Sequence, residues 1–171
     1  MNWVSRFEKK IMSYIIDGHN LIPKVPGLSL RKLDDEASLI EQLQVFSRVS
    51  RRKIEVFFDQ APPGKAGKQR AGTLLVYYVS QGSTADEAIL KRISRLGGDA
   101  RNWTLVTSDR RLQREARQFQ VRIVSSEEFA GDLGDAMMRN ASAQKGEADR
   151  LNDAQVEEWL RFFKERRQKK D

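Results

Sequence analysis

The chain has 171 residues, 39% of them hydrophobic and 32% charged, with a formal net charge of +7. That length suits one domain, or a domain with an appendage, whose core needs no covalent staples. There is no cysteine and one histidine, His19. This excludes disulfides, thiolate metal sites, a cysteine nucleophile and a multi-histidine zinc centre, and leaves oxygen ligands for any metal.

No apolar run is long enough to cross a bilayer. The first ten residues mix Trp3, Val4 and Phe7 with Arg6, Lys9 and Lys10 and lack the unbroken apolar core of a signal peptide. A cytoplasmic protein with no membrane partner is expected. From residue 140 onward there are eight Lys/Arg and seven Asp/Glu, a net of +1, so +6 of the excess belongs to residues 1–139. Such an excess on a compact domain suits a polyanion such as nucleic acid, and it also serves plain solubility.

Residues 1–11 read as a lead-in turn packing Trp3 and Phe7. Met12–Ile16 is an apolar run with the character of a buried strand, ended by Asp17 and by Gly18, which frees the chain to bend. A loop with Pro23, Pro26 and Gly27 follows. Asp34 and Asp35 then cap a helix carrying Ala37, Ile40, Leu43, Val45, Phe46 and Val49 near helical spacing, with Arg51-Arg52-Lys53 at its negative end. Ile54–Phe58 is the second strand and ends in Asp59. Residues 60–72 hold two prolines, three glycines and three cations and are expected to form a loop.

Leu74–Val79 is the third strand. Ser80–Glu87 turns into a helix with Ile89, Leu90, Ile93 and Leu96 on its apolar face, stopped by Gly97-Gly98. Trp103–Thr107 is the fourth strand, followed by Ser108, Asp109 and a basic helix over Arg110–Gln118. Val121–Val124 is the fifth, and Ser125-x-x-Glu128 is a capping box for a short helix. Residues 1–139 form the predicted domain and 140–151 a polar linker. Residues 152–171 form a helix with Val156, Trp159, Leu160 and Phe163 in one stripe and a basic end. Docking of that stripe back on the domain is the expected role, with capture of a protein partner as the alternative. The alternation predicts an α/β fold, a three-layer arrangement around a mainly parallel sheet of about five strands.

The strand ends share a chemistry. Asp17 and Asp59 end the first two strands, and Asp86 and Asp109 follow the third and fourth. In an open parallel sheet these carboxyl ends lie on one edge, where ligands bind. Carboxylates gathered there repel one another unless a divalent cation neutralises them, and Mg²⁺ or Mn²⁺ prefers oxygen ligands. Such a site can orient a phosphodiester, activate water and stabilise the leaving oxygen. Each acid also has a local reading. Asp59 can start a turn, Asp109 can cap the basic helix, and Thr84-x-x-Glu87 is a capping box that accounts for Glu87. Lys65, Lys68 and Arg70 before this edge, and Arg110, Arg111, Arg114 and Arg117 after Asp109, are suited to RNA or DNA phosphates. The run Gly64-Lys65-Ala66-Gly67-Lys68 lacks the spacing of a phosphate loop, and Gln69 stands where the magnesium-binding hydroxyl belongs. Tyr77 and Tyr78 are expected in core packing rather than base stacking.

The four motifs Tyr-Ile-Ile-Asp17-Gly18-His19-Asn20, Val-Phe-Phe-Asp59, Ser-Thr-Ala-Asp86-Glu87 and Val-Thr107-Ser108-Asp109, in that order, resemble the NYN-domain branch of the PIN-like ribonucleases, in particular the YacP-like group. The likeness covers about residues 12–133. It implies a PIN-like α/β/α fold, an Mg²⁺- or Mn²⁺-dependent nuclease site and RNA as substrate. It puts metal ligation on Asp17, Asp86 and Asp109, with Asp59 as a fourth acid. Asn20 would hold a substrate phosphate or a metal-bound water, and Thr107 and Ser108 would brace the last carboxylate. The family often has an aromatic residue where this chain has His19, which is left without a role. The expectation is a metal-dependent endoribonuclease using metal-activated water. The alternative is a non-catalytic RNA-binding module acting in RNA metabolism or at the ribosome. A phosphotransfer domain ranks last, because it wants clustered acids at the first strand and a lysine after a late one.

Overall fold

The computed structural model describes residues 12–31, 34–144 and 153–168. The lead-in turn with Trp3 and Phe7 lies outside the described residues. The strands are β1 (Ser13–Asp17), β2 (Ile54–Phe58), β3 (Gly67–Ala71), β4 (Leu74–Tyr78), β5 (Trp103–Val106) and β6 (Arg122–Val124). The helices are α1 (Gly18–Leu21), α2 (Asp35–Ser50), α3 (Ala85–Leu96), α4 (Arg110–Arg117), α5 (Ser126–Ala143) and α6 (Asp153–Gln168). They build one sheet in the order β3-β4-β2-β1-β5-β6, parallel throughout except for β3. This is the expected three-layer α/β/α fold.

The inner strands β1, β2, β4 and β5 are largely apolar because both sheet faces are covered there. Alternate residues divide between two cores. Ile54, Val56 and Phe58 pack with Leu39, Leu43 and Phe46 of α2 and Phe129 and Leu133 of α5. Phe57, Ile15 and Leu105 pack with Ile89 and Ile93 of α3 and Leu112 and Ala116 of α4. Tyr77 stacks on Phe57 at 4.4 Å in the second core, and Tyr78 lies against Phe58 at 5.6 Å in the first, so both tyrosines pack as expected.

β2 carries one charge into the interior. Glu55 is 4% exposed on the α3 face. Arg92 of α3 reaches it through two hydrogen bonds, Nε at 2.7 Å and Nη2 at 2.8 Å, and its guanidinium lies 5.1 Å from the Trp103 ring centre. A bidentate pair fixes direction as well as distance, so α3 is held against the sheet at a set height. The first turn of α3 carries Asp86.

Several local expectations change. Five residues of the loop expected at 60–72 form the edge strand β3, antiparallel to β4, with Gly72 at φ +57° in the turn between them. Gly-Lys-Gln-Arg-Ala has little strand propensity; it pairs because β4 offers it a free edge. The expected loop after Asp17 begins with the single-turn helix α1 and a 3₁₀ turn over Ile22–Lys24. Gly18 serves a close approach rather than a bend. A Cβ there would lie 2.9 Å from the Phe57 carbonyl oxygen and collide with the Phe58 ring. Asp34 makes no side-chain cap on α2; Asp35 is buried and accepts from the Ser29 N–H at 2.8 Å. The helix after Ser125 is long, not short, and runs to Ala143, into the segment expected as linker. α6 does dock on the domain, but through Trp159, 3% exposed, and Phe162; Leu160 of the expected stripe is 44% exposed. Among the described residues no helix is long and apolar enough to cross a membrane.

The strand order reverses between β1 and β5. Chain entering from β4 crosses back over the α3 face to reach β5, so the carboxyl ends of these two central strands border a crevice.

Arg92→Leu leaves Glu55 buried and unpaired. The expected loss is on the order of 2–3 kcal/mol in urea unfolding, and the Glu55→Leu/Arg92→Leu double variant should recover most of it.

Candidate active site

β1 ends in the crevice, and its last residue, Asp17, is 7% exposed. The carboxylate has two long hydrogen bonds: Oδ1 accepts from the Asn20 N–H at 3.4 Å, and Oδ2 from the Thr107 hydroxyl at 3.2 Å. Its pKa is pushed up to about 6, first by burial and then by the charge of Asp86, with Asp59 adding, while the Asn20 and Thr107 hydrogen bonds pull it down. Asp86, in the first turn of α3, is raised first by burial and then by Asp109, with Asp59 adding, against the Arg111 guanidinium 3.4 Å away. Charge thus couples the four acids in pairs at this edge: Asp86 and Asp59 act on Asp17, and Asp109 and Asp59 act on Asp86.

Like Asp17, two of the others also serve the backbone. Asp59 Oδ1 accepts from the Ala85 N–H and so ties the end of β2 to the start of α3. Asp109 is the N-cap of α4, its Oδ1 accepting from the Arg111 and Leu112 N–H groups at 2.8 and 2.9 Å. Both local readings are therefore present alongside the shared one. Glu87 is a capping residue: Thr84 and Glu87 close a reciprocal box, and the Ser83 hydroxyl adds a third bond. Thr107 is fully buried and links two of the acids, donating to Asp17 and accepting from the Asp109 N–H at 3.2 Å. Gln113 of α4 secures the Thr107 carbonyl at 2.7 Å.

Among the described residues no three acidic or histidine side chains stand close enough together to hold a metal ion as they are. The donor set nevertheless fits one. Asp17 is a buried carboxylate with two weak hydrogen bonds and two like-charged neighbours, and no cation pairs with it among the described residues. Hard oxygen donors of this kind suit Mg²⁺ or Mn²⁺.

Asn20 sits at the centre of a second network. Its Oδ1 accepts from the Ser108 N–H and from the Ser126 hydroxyl, both at 2.7 Å. The Ser126 N–H donates to the Ser108 hydroxyl oxygen at 2.9 Å, and that hydroxyl donates to Glu127. Lys24 pairs with Glu127 at 2.8 Å, and the two contacts hold the Glu127 carboxyl down at about 2. Ser108 therefore braces Asn20 rather than Asp109. His19 gains a role as a tie between α1 and α2. Its Nε2 lies 2.7 Å from Glu36, a hydrogen bond that raises its pKa, and its ring packs 5.4 Å from Phe58. Sequence reasoning missed Ser126, Glu127, Lys24 and Glu36; the Ser125 capping signal, which is real, drew attention one residue short of Ser126.

The cations frame the site. Lys65, Lys68 and Arg70 are exposed on or beside β3. Antiparallel pairing puts Gly67 opposite Tyr78, so Lys65 and Lys68 lie toward the acid edge and Arg70 away from it. Arg110 and Arg114 are exposed on α4, while Arg111 is drawn to Asp86 and lies 3.7 Å from Glu115.

A family model described as a YacP-like NYN domain matches residues 14–168. The chain is similar to the crystal structure of Rae1 (YacP) from Bacillus subtilis, with 22% identity and a TM-score of 0.63 over 91% of this chain and 94% of that one. It is also similar to the crystal structure of a mutant of that protein, with 21% identity and a TM-score of 0.67 over 87% and 90%. At these identities the likeness is one of fold. No curated protein matches the chain.

Asp17 supplies a pH test. Its folded pKa of about 6 exceeds its ordinary value of 3.8, so between about pH 4 and 6 the folded state binds more proton than the unfolded one. Stability without metal should fall as pH rises through that window, by on the order of 3 kcal/mol, and stay low above it. Asp17→Asn should flatten this fall and raise the melting temperature at pH 8 in EDTA. Added Mn²⁺ should stabilise the wild type and leave the variant unmoved.

Proposed function

The chain belongs to the YacP-like NYN domain family, and on that premise we propose that it is a metal-dependent ribonuclease that cuts RNA internally, leaving 5′-phosphate and 3′-hydroxyl ends. NYN domains are part of a nuclease superfamily; the metal and the cleavage mode are the proposal's own content. One observation carries it. Four carboxylates are coupled at the carboxyl edge of the sheet, around a buried Asp17 that forms no ion pair among the described residues. Binding an RNA phosphate gains nothing from four negative charges; binding a divalent cation does.

Asp17, Asp86 and Asp109 are assigned to the metal, Mg²⁺ or Mn²⁺, which when bound supplies the Lewis acidity for hydrolysis at neutral pH. Thr107 orients Asp17 and, by fixing the Asp109 backbone, sets the two acids relative to each other. Asn20 donates from its amide nitrogen to a non-bridging phosphate oxygen, since its amide oxygen is already taken by two donors.

Charge asymmetry supports a path for the RNA. α2 and α5 together carry seven acids and two bases. α3 and α4 carry three acids and seven bases, and β3 adds Lys68 and Arg70. A polyanion crossing the acid edge is drawn to the α3/α4 side and repelled from the other. Lys65 and Lys68 on one flank, and Arg110, Arg111 and Arg114 on the other, then hold its backbone.

A second reading has its own observation. Asp59 and Asp109 already serve as hydrogen-bond acceptors for the backbone, which fits a domain that binds RNA without cutting it. Incubation with single-stranded RNA decides. The nuclease reading expects cleavage with Mn²⁺, none in EDTA, and a loss of at least a hundredfold in Asp17→Asn. Cleavage that persists in EDTA would sink the metal mechanism, and tight binding without product under any divalent ion would favour the second reading. In EDTA, Lys68→Glu and Arg114→Glu should each weaken RNA binding and flatten its log–log salt dependence by about 0.7 for each phosphate that is no longer neutralised, whereas Arg139→Glu on α5 should leave affinity unchanged.

A further inference from the structure

The Asn20 amide can lie either way round in its site, and only one orientation presents a donor to the substrate. Three elements converge to choose between them: α1 brings Asn20, the residue after Thr107 brings the Ser108 N–H, and the first turn of α5 brings Ser126. Ser126 is fully buried. Its N–H, one of the donors a helix start leaves without an intrahelical partner, is taken by the Ser108 hydroxyl oxygen, whose own proton is committed to Glu127. The Ser126 hydroxyl is thereby free to donate to Asn20 Oδ1, at 2.7 Å. With two donors on Oδ1, a reversed amide would set N–H against N–H. Asn20 Nδ2 has no acceptor among the described residues and is not a buried unsatisfied atom, so it is open to a ligand.

We propose that Ser126 is a positioning residue: its buried hydroxyl locks the Asn20 amide so that Nδ2 meets a non-bridging oxygen of the RNA phosphodiester. The proposal rests on the ribonuclease reading for its substrate, and on the hydrogen-bond network alone for the lock. The chain Lys24–Glu127–Ser108 holds the far side of the same lock, because it commits the Ser108 proton away from Ser126. A donor aimed at a phosphate oxygen helps most where charge builds up in the transition state, so loss of the lock should appear in kcat rather than in KM.

The test uses the whole chain labelled with ¹⁵N. In the wild type the Asn20 side-chain amide should give a resolved, shifted pair of signals. In Ser126→Ala, with the remaining backbone spectrum intact, that pair should move toward free-amide positions, and kcat on single-stranded RNA with Mn²⁺ should fall about tenfold at unchanged KM. A Ser126 that served folding alone would lower the melting temperature and leave the Asn20 signals and kcat in place, which overturns the proposal. Asn20→Asp keeps both acceptor bonds but has no donor; cleavage at the wild-type rate by that variant would also overturn it. If the wild type cuts no RNA with any divalent ion, the ribonuclease reading fails, and the Asn20 signals in Ser126→Ala still decide whether the lock exists.

Discussion

The burial of Asp17 is the constraint on which the other features of this structure turn. A carboxylate 7% exposed, with two hydrogen bonds longer than 3 Å, is an unfavourable object in a folded chain. Asp86 and Asp59 nearby make matters worse, and the effect of like charges is visible in the raised pKa values of Asp17 and Asp86. A fold keeps such a cluster only when the surrounding structure over-determines it.

Much of the molecule supplies that over-determination. β1 is flanked by β2 and β5 in parallel register, so the tip carrying Asp17 is held on both sides. Gly18 lets the chain leave β1 against the Phe57 carbonyl, where any side chain would push the tip away. The Glu55–Arg92 pair holds α3, and so Asp86, on the sheet. Asp59 and Asp109 each tie a carboxylate to the helix start beside it. The same hydrogen bonds that stabilise helix ends therefore also aim charge into one crevice.

Two groups of long-range polar contacts build the site. Thr107 joins Asp17 to the Asp109 backbone, and Ser108, Ser126 and Glu127 hold Asn20. Outside them, charge is segregated by layer, with the acidic helices α2 and α5 on one face of the sheet and the basic α3 and α4 on the other. His19, which sequence reading left idle, belongs to the frame: with Glu36 it ties α1 to α2.

Local signals in the chain were enough for the alternation of strands and helices, the two-faced sheet, and the placing of four acids at its carboxyl edge. Apolar runs, caps and glycines lie within a few residues of one another, so they can be read in order. The pairings between distant residues came only with the folded chain. Asn20 meets Ser126 across 106 positions, Thr107 meets Asp17 across 90, and Arg92 meets Glu55 across 37. β3 likewise follows from the open edge of β4, since its own residues carry little strand preference. The helix after Ser125 has a readable start and an unreadable length: its buried face, which runs to Met137, is covered by distant parts of the chain, and the helix continues beyond it to Ala143. No periodicity encodes such pairings, since they depend on which strand ends the topology makes neighbours.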